Sequence, residues 1–193
     1  MNSSCDRNQE PILKILKLYI KEKSLNFFEI GSGTGQHGLF FAKNCPLITW
    51  TFSDRQENHQ HIKNNLNASQ LKNVLGPLPF EVGIDPLPPV KFDCLFTANT
   101  MHIMPWKKVK TLTKAIGKSL ESRTLVFIYG PFRYQGKHTA PSNQRFDDSL
   151  KAQNSSMGIR AFEDMVMSMS KNGFSLLHDH EMPAHNRLLV FES

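Results

Sequence analysis

Apolar residues recur at helical spacing between residues 8 and 23, where Ile12, Leu13, Ile15, Leu16, Leu18, Tyr19 and Ile20 alternate with Lys14, Lys17, Lys21 and Lys23. This pattern predicts an amphipathic helix, with Pro11 tolerated in its first turn. A short apolar run, Leu25 to Ile30, is then stopped by Gly31-Ser32-Gly33-Thr34-Gly35, after which Leu39, Phe40, Phe41 and Ala42 resume at helical spacing. Strand, glycine turn and helix follow one another. Leu47 to Ser53 is rich in β-branched and aromatic residues and ends at Asp54, and the polar stretch from Gln56 to Asn67 suits a second helix.

Between residues 75 and 90 the prolines Pro77, Pro79, Pro86, Pro88 and Pro89 leave room for only a short strand, expected around Phe80 to Val82. Phe92 to Ala98 reads as a buried strand, Trp106 to Leu120 as a basic amphipathic helix, and Thr124 to Tyr129 as a further strand stopped by Gly130-Pro131. From there to about Asp147 the chain is polar and punctuated by Gly and Pro, which predicts an irregular binding loop or lid. Arg160 to Lys171 suits a helix ending at Asn172-Gly173, and Phe174 to Glu181 and Arg187 to Phe191 form a closing hairpin.

Alternating strands and helices predict an α/β fold: a mainly parallel seven-stranded sheet with an antiparallel final hairpin, in three layers, α-β-α. Ligands of such sheets bind beyond the carboxyl ends of the strands. That side gathers Gly31 to Gly35, Asp54, the segment after Val82, Asn99 to His102, Gly130 onward and the Met182 to Asn186 turn.

Composition narrows the class. The chain has 193 residues, enough for one domain, with 14 Phe for a core and a formal charge of 23 − 17 = +6. One domain is expected over residues 1–193, with residues 1–24 as an N-terminal helix and candidate lid and 130–148 as a candidate substrate loop. Cys5, Cys45 and Cys94 form no C-x-x-C pair, which excludes a readable disulfide framework or thiolate zinc site and fits a reducing, cytoplasmic setting. The first residues lack the pattern of a secretory leader, and no apolar run reaches bilayer length. Lys107, Lys108, Lys110, Lys114 and Lys118 beside Trp106 are the strongest sign of a nucleic-acid partner, yet their spacing spreads them around a helix. His59-x-His61 and His178-x-His180 lack further ligands at metal-binding spacing, so no metal is expected.

The glycine cluster points to a cofactor. Glycines after a first strand let the backbone turn tightly and point amides at an anion near a helix N-terminus. The dinucleotide spacing G-x-G-x-x-G fails because Gln36 stands where its third Gly would fall, which disfavours a nucleotide-dependent dehydrogenase. No Lys follows to make a phosphate-binding Walker loop. Glu29 would repel phosphate yet accept hydrogen bonds from an ammonium group, and Asp54, 19 residues beyond Gly35, stands where a carboxylate can accept ribose hydroxyls. A nucleoside with an amino-acid tail is S-adenosylmethionine (SAM), whose product is S-adenosylhomocysteine (SAH). Glu29 is thus expected at the amino group, the loop Gly31, Ser32, Gly33, Thr34 and Gly35 at the carboxylate, Asp54 at the ribose and either Glu81 or Asp85 at the adenine edge.

Phe28 to Gly35 together with Asp54 resembles the class I SAM-dependent methyltransferases over nearly the whole chain, which implies their Rossmann-like fold and SAM binding. A closer resemblance is to the family called domain of unknown function 938. It runs through Arg7-Asn8 with Pro11-Ile12, Gly31 to His37, Ala98-Asn99-Thr100-Met101-His102-Ile103, Tyr129-Gly130-Pro131-Phe132, Ser142-Asn143 with Phe146-Asp147, Gly158-Ile159-Arg160 and Met182-Pro183-Ala184. Phe80-Glu81-Val82 departs from the Leu-Asp-Val of that family's pattern.

Methyl transfer is an in-line displacement in which positioning supplies much of the rate, and a base is needed only where the acceptor holds its proton. Asn99 and His102, after the fourth strand, are expected at the cofactor's edge, with His102 the first general-base candidate and Asn99 and Tyr129 further catalytic candidates. Tyr134 and His138 could orient or deprotonate an acceptor, Ser142, Asn143 and Asp147 offer hydrogen bonds to its far end, and Arg7 and Asn8 could cover the cofactor or bind a substrate carboxylate. Tyr134, Ser142, Asn143, Arg7, Asn8 and His102 are thus the substrate-binding candidates. The favoured reading is a methyltransferase for a small-molecule acceptor. The alternatives are a non-catalytic SAM- or SAH-binding regulatory or partner protein, and an RNA or protein methyltransferase.

Overall fold

In the computed structural model, residues 4–21, 23–119 and 123–193 are described. Leu120, the expected end of the basic helix, and the Cys5 side chain lie outside the described part. Two compact units emerge, the first Met1–Glu81 with Pro88–Phe96 and the second Val82–Leu87 with Thr97–Ser193.

In the first unit, helix α1 (Ser4–Ile20) precedes strand β1 (Leu25–Ile30), helix α2 (Gln36–Asn44), strand β2 (Ile48–Asp54), helix α3 (His59–Ser69) and strand β3 (Val74–Pro79). Strand β4 (Cys94–Ala98) begins in this unit, and Cys94 to Phe96 pair in parallel with Phe27 to Glu29. β1 also pairs in parallel with β2 along its whole length, Leu25 opposite Ile48 and Ile30 opposite Ser53. The buried aromatic residues collect here: Phe27 stacks on Trp50 at 4.7 Å, and Phe41 and Phe96 lie 5.3 and 5.5 Å from the same indole. The β1–β2 register brings the carboxyl ends of the two strands, Ile30 and Ser53, side by side, so the glycine turn and Asp54 emerge together.

The third strand differs from expectation. It runs over Val74–Pro79, includes Pro77 and Pro79, and ends before Phe80. It stands at the edge of its sheet, where a residue without an N–H forfeits no ladder bond, and its register against β2 shifts between Thr51 and Ser53. Val82 instead makes an isolated bridge to Asp85.

In the second unit come α4 (Trp106–Lys118), β5 (Leu125–Gly130), β6 (Phe132–Tyr134), β7 (Lys137–His138), α5 (Pro141–Gln153), β8 (Arg160–Ala161), α6 (Phe162–Ser170), β9 (Ser175–Met182) and β10 (Asn186–Glu192). β10 runs antiparallel to both β5 and β9, as the hairpin pattern predicts. The seven-stranded sheet has the order β3-β2-β1-β4-β5-β10-β9, and a second sheet the order β7-β6-β8. α4 buries Val109, Leu112, Thr113 and Ile116 and exposes Lys107, Lys110, Lys114 and Lys118, so these lysines form its solvated face. Thr113 and Ser168 join α4 to α6 through a 2.8 Å hydroxyl pair.

The stretch after Gly130 is not the irregular loop its composition predicts. Phe132–Tyr134 and Lys137–His138 form a tight hairpin, Phe132 and Arg133 pair in parallel with Arg160 and Ala161, and Pro141–Gln153 is helical. Strands of two and three residues are too short to show a period-2 pattern, and α5 is polar on most of its surface. Arg160 and Ala161, expected at the start of a helix, are the third of these strands.

Among the described residues no helix is long and apolar enough to cross a membrane. Cys45 and Cys94 are buried free thiols.

Candidate functional site

The first unit holds the glycine turn. Gly31, Gly33 and Gly35 all take positive φ, 71°, 59° and 79°, a conformation costly for residues with a Cβ. The turn is fastened from two sides. The amides of Gly31 and Ser32 both donate to the Ser53 carbonyl at 3.0 Å, and the Gly33 amide donates to Asp54 Oδ2 at 2.6 Å. The other Asp54 oxygen accepts from the Arg55 amide at 2.7 Å and from Asn58 Nδ2 at 2.8 Å. Asp54 therefore caps the turn that follows β2 while clasping the glycine loop.

Helix α2 follows Gly35, which makes no side-chain cap bond, and carries no acidic residue in its first turn, so no carboxylate of its own offsets its positive dipole end. A Cβ built on Gly33 would meet nothing within 4 Å.

Glu29 is placed differently from expectation. It is 2 % exposed, and its Oε2 accepts from Trp50 Nε1 at 2.9 Å, while the Ser32 hydroxyl also hydrogen-bonds to it. The carboxyl is turned inward and braces the loop from beneath. Burial pushes its pKa up to about 8, partly offset by the Trp50 and Ser32 bonds. A carboxyl that prefers its proton in the fold favours the folded state fully below its ordinary pKa of 4.5, and this advantage is lost as pH rises through about 8. Buried His37 and His102, both lowered to about 4, are common to the wild type and Glu29→Gln, so the difference between the two proteins isolates Glu29. Between pH 6.5 and 8 the wild type should lose about 2 kcal/mol of stability relative to Glu29→Gln, since a tenfold change in proton affinity is worth about 1.4 kcal/mol. Urea unfolding of the two proteins at both pH values measures this; parallel curves would contradict the inward carboxyl.

Asn8 is likewise committed. It is buried, and its Oδ1 pairs with His37 Nε2 at 2.7 Å, which latches α1 onto the start of α2. Arg7 beside it is exposed. Glu81 is half-buried two residues after β3.

The second unit gathers another polar cluster. Asn99 has φ 57°, and its amide donates to the Tyr129 carbonyl at 2.9 Å, which fixes the turn after β4. A Cβ built on Gly130 would lie 3.6 Å from both Asn99 Oδ1 and His102 Nδ1, so these side chains converge over Gly130. His102 is 4 % exposed, with the Phe146 ring edge-on at 5.2 Å. Burial, helped by Arg160, pushes its pKa down to about 4, so the ring is neutral at physiological pH and weakly basic. Tyr129 itself is 2 % exposed within β5, and Asp85 is exposed two residues after Gly83, which faces the Lys108 side chain.

Two residues organise this cluster. Asp147, fully buried, accepts from the Ile159 amide at 2.6 Å through Oδ1 and from Lys151 Nζ at 2.6 Å through Oδ2, and His138 Nε2 lies 3.3 Å from that Oδ2. Arg160 donates from Nε to the Met101 carbonyl at 2.9 Å and from Nη2 to the carbonyls of Met104 and Ser156. The Gly158 amide donates to the His102 carbonyl at 2.8 Å. Asp147 and Arg160 thus hold the backbone that presents His102. Both stand in motifs visible in the sequence, Phe146-Asp147 and Gly158-Ile159-Arg160, but nothing in residue type announces which backbone groups they hold.

Of the predicted substrate residues in this unit, Tyr134 and Asn143 make contacts within the fold and Ser142 is exposed. The Tyr134 hydroxyl donates to Asp179 Oδ2 at 2.7 Å, its ring stacks on Phe162 at 4.8 Å, and the Arg187 guanidinium lies 5.5 Å from the ring centre. Asn143 Nδ2 donates to the His185 carbonyl at 3.0 Å and to the Thr139 hydroxyl at 2.9 Å, which ties α5 to the turn before β10. Ser142 is exposed at the start of α5. His178 and His180 lie with rings 5.1 Å apart, and among the described residues no group of three such side chains could hold a metal ion.

A family model described as "Protein of unknown function (DUF938)" matches residues 1–193. Among solved structures, the chain is similar to an O-methyltransferase family 2 protein from Planctomyces limnophilus in complex with apigenin, at 13 % identity and TM-score 0.84, over 98 % of this chain and 58 % of that one. It is similar to the mitomycin 7-O-methyltransferase MmcR at 14 % identity and TM-score 0.82, over 95 % and 53 %. It is also similar to human N-acetylserotonin methyltransferase in complex with SAM at 14 % identity and TM-score 0.74, over 96 % and 54 %. The chain spans slightly more than half the length of these proteins, and at such identity the likeness is one of fold: the mostly parallel, Rossmann-like methyltransferase sheet.

Proposed function

Because the chain belongs to the DUF938 family and carries a methyltransferase fold, we propose that it is a SAM-dependent methyltransferase whose acceptor is a small molecule. The observation that carries the reading is the clasped glycine turn: Asp54 holds Gly33 at 2.6 Å beside a helix N-terminus that has no side-chain cap.

The residues present fit SAM. The leading amides of α2 and the positive-φ turn of Gly31, Ser32, Gly33, Thr34 and Gly35 suit a carboxylate. Asp54 offers a carboxylate for ribose hydroxyls, and Glu81 or Asp85 an acceptor for the adenine amino group. Glu29 acts through the loop it braces. When bound, SAM supplies an electrophilic methyl group on a sulfonium and leaves as a neutral thioether. The chain's own task is to orient the acceptor and handle its proton. Asn99 and His102, converging over Gly130, are the proposed contacts at the reacting end, with Tyr129 supporting Asn99 through its carbonyl. A neutral, weakly basic His102 suits hydrogen bonding to the acceptor better than removal of its proton, since a base works best with a pKa near the operating pH.

Support for a small acceptor comes from two of the similar structures, an O-methyltransferase family 2 protein in complex with apigenin and the mitomycin 7-O-methyltransferase. Incubation with methyl-labelled SAM and a panel of small hydroxyl- and amine-bearing acceptors tests the reading. Transfer of label to at least one of them, with SAH released in equal amount, is the expected result. SAM binding without transfer to any small acceptor would instead favour the non-catalytic binder.

A further inference from the structure

Helix α4 carries Lys107, Lys110, Lys114 and Lys118 three or four positions apart, a spacing that sets them in one stripe along the helix. Of its five lysines only Lys108 leaves the stripe, and a Cβ on Gly83 would meet that side chain at 3.6 Å. The spread expected from the sequence is thus a single exposed row. Among the described residues no ion pair engages this row, nor Lys171 just after α6. Like charges four positions apart destabilise a helix, and an anionic partner relieves that cost.

Beside the row, α4 and α6 part to form a groove within the second unit. A cavity of 380 Å³ opens between them, walled by Trp106, Lys110 and Lys114 on one side and by Asp164, Met167 and Lys171 on the other. Both walls are held by packing. Ser168, in the lining, bonds to buried Thr113 at 2.8 Å, and Asn172 Nδ2 donates to the Ser168 carbonyl at 2.8 Å. At one end the helices close up, since a Cβ on Gly117 would lie 2.5 Å from the Asn172 carbonyl oxygen. Met167 is 55 % exposed in the α6 wall, an adaptable thioether open to an apolar partner. The groove therefore joins a basic rim to an apolar contact point.

We propose that the α4–α6 groove docks an acidic amphipathic helix of a partner protein, with its carboxylates along the lysine row and an apolar side chain between Trp106 and Met167. The inference goes beyond methyl transfer and does not depend on it. Charge and spacing match such a partner. Carboxylates at i, i+4 repeat every ~6 Å along a helix, the same rise that separates Lys110, Lys114 and Lys118. A phosphate backbone suits the groove less well, because its walls hold lysines and no arginine, the side chain whose planar fork matches phosphate. Asp164 in the α6 wall would repel a phosphate, while it can accept from a basic side chain of a peptide. A concave groove also receives a convex helix rather than a flat bilayer.

The test uses the full chain and a synthetic peptide of about 18 residues, long enough to hold a helix, with Glu at i, i+4 and Leu along the adjoining face. Titration at about 0.15 M salt, where exposed charges more than about 8 Å apart are screened, should show one site per chain with micromolar affinity. Lys110→Glu with Lys114→Glu should weaken binding about tenfold or more, because like charges then meet across the interface. Lys14→Glu with Lys17→Glu makes the same change in net charge on α1, and should alter affinity less than about twofold. Circular dichroism confirms that both double variants fold. Serine in place of the peptide's leucines should also cost about tenfold, as lost apolar burial requires. Trp106 emission should shift on binding, and Trp106→Phe should remove the shift while buried Trp50 stays silent. No binding of the peptide, equal losses in the two double variants, or no change on replacing leucine would overturn the proposal. Tighter binding of a single-stranded uridine oligonucleotide or of phosphatidylserine vesicles than of the peptide would overturn it too.

Discussion

Replacing Asp54 with Ala is expected to weaken SAM and SAH binding by about 100-fold or more. The carboxylate already accepts three hydrogen bonds, from the Gly33 amide, the Arg55 amide and Asn58 Nδ2, at 2.6, 2.7 and 2.8 Å. About four lone-pair sites surround a carboxylate, so it can still receive a ribose hydroxyl, and a second can displace the Gly33 contact. Hydrogen bonds to charged groups are worth about 1.5–3 kcal/mol each, and about 1.4 kcal/mol is tenfold in affinity; two of them make the expected factor. Ala also releases the glycine turn from its clasp, so the loop is less organised before any ligand arrives. Asp54→Asn, which keeps the size and one acceptor oxygen, should fall between. Calorimetric titration of the three proteins measures the ranking, with circular dichroism to confirm folding. Affinity within about threefold of wild type for Asp54→Ala would remove the ribose assignment.

The largest expected effect on stability belongs to Gly38, in the first turn of α2. A Cβ there would overlap Trp50 Nε1 and lie 2.5 Å from both Trp50 Cδ1 and Phe52 Cε1. The indole cannot easily swing aside, because it stacks on Phe27 at 4.7 Å and packs against Phe41 and Phe96. Gly38→Ala must therefore push α2 outward or move Trp50, and moving Trp50 breaks its 2.9 Å bond to the buried Glu29 carboxyl. Overpacking costs about 1–3 kcal/mol and an orphaned buried polar group a similar amount, so the loss should be about 3–5 kcal/mol. At about 2–4 °C per kcal/mol for a chain of this size, the melting temperature should fall by roughly 10 °C. Gly33→Ala is the contrast: it meets no neighbour, so its cost is the left-handed backbone alone, about 1–2 kcal/mol. Equal melting temperatures for Gly38→Ala and wild type would contradict the close approach of helix and indole.

What is legible in the sequence and what is hidden follow from the range of the interactions. The glycine turn, β1, β2 and the basic helix α4 are local patterns, with period and punctuation within a dozen residues, and all of them show. Asp54 is legible because a carboxylate at the end of a second strand has a place in the architecture. Pro77 and Pro79 speak against a strand only where it has a partner on both sides, and β3, over Val74–Pro79, has one on a single side. The small sheet of β6, β7 and β8 pairs Phe132 with Arg160, 28 positions apart, in strands too brief to show a period. Side-chain destinations are hidden for the same reason. Position alone suggests that Glu29 faces a ligand, and it turns inward because Gly38 lets the Trp50 indole come close enough to bond it. The relation between His138 and Asp147 depends on α5 folding back over the β6–β7 hairpin, which no spacing rule anticipates.

Calorimetric titration of the wild-type chain with SAM, SAH and NAD tests the central claim most directly. SAM and SAH should each bind at one site per chain with micromolar affinity, and NAD should give no heat, because the loop suits an amino-acid carboxylate and has no third glycine for a pyrophosphate. A folded chain that ignores both SAM and SAH, or that prefers NAD, would contradict the account.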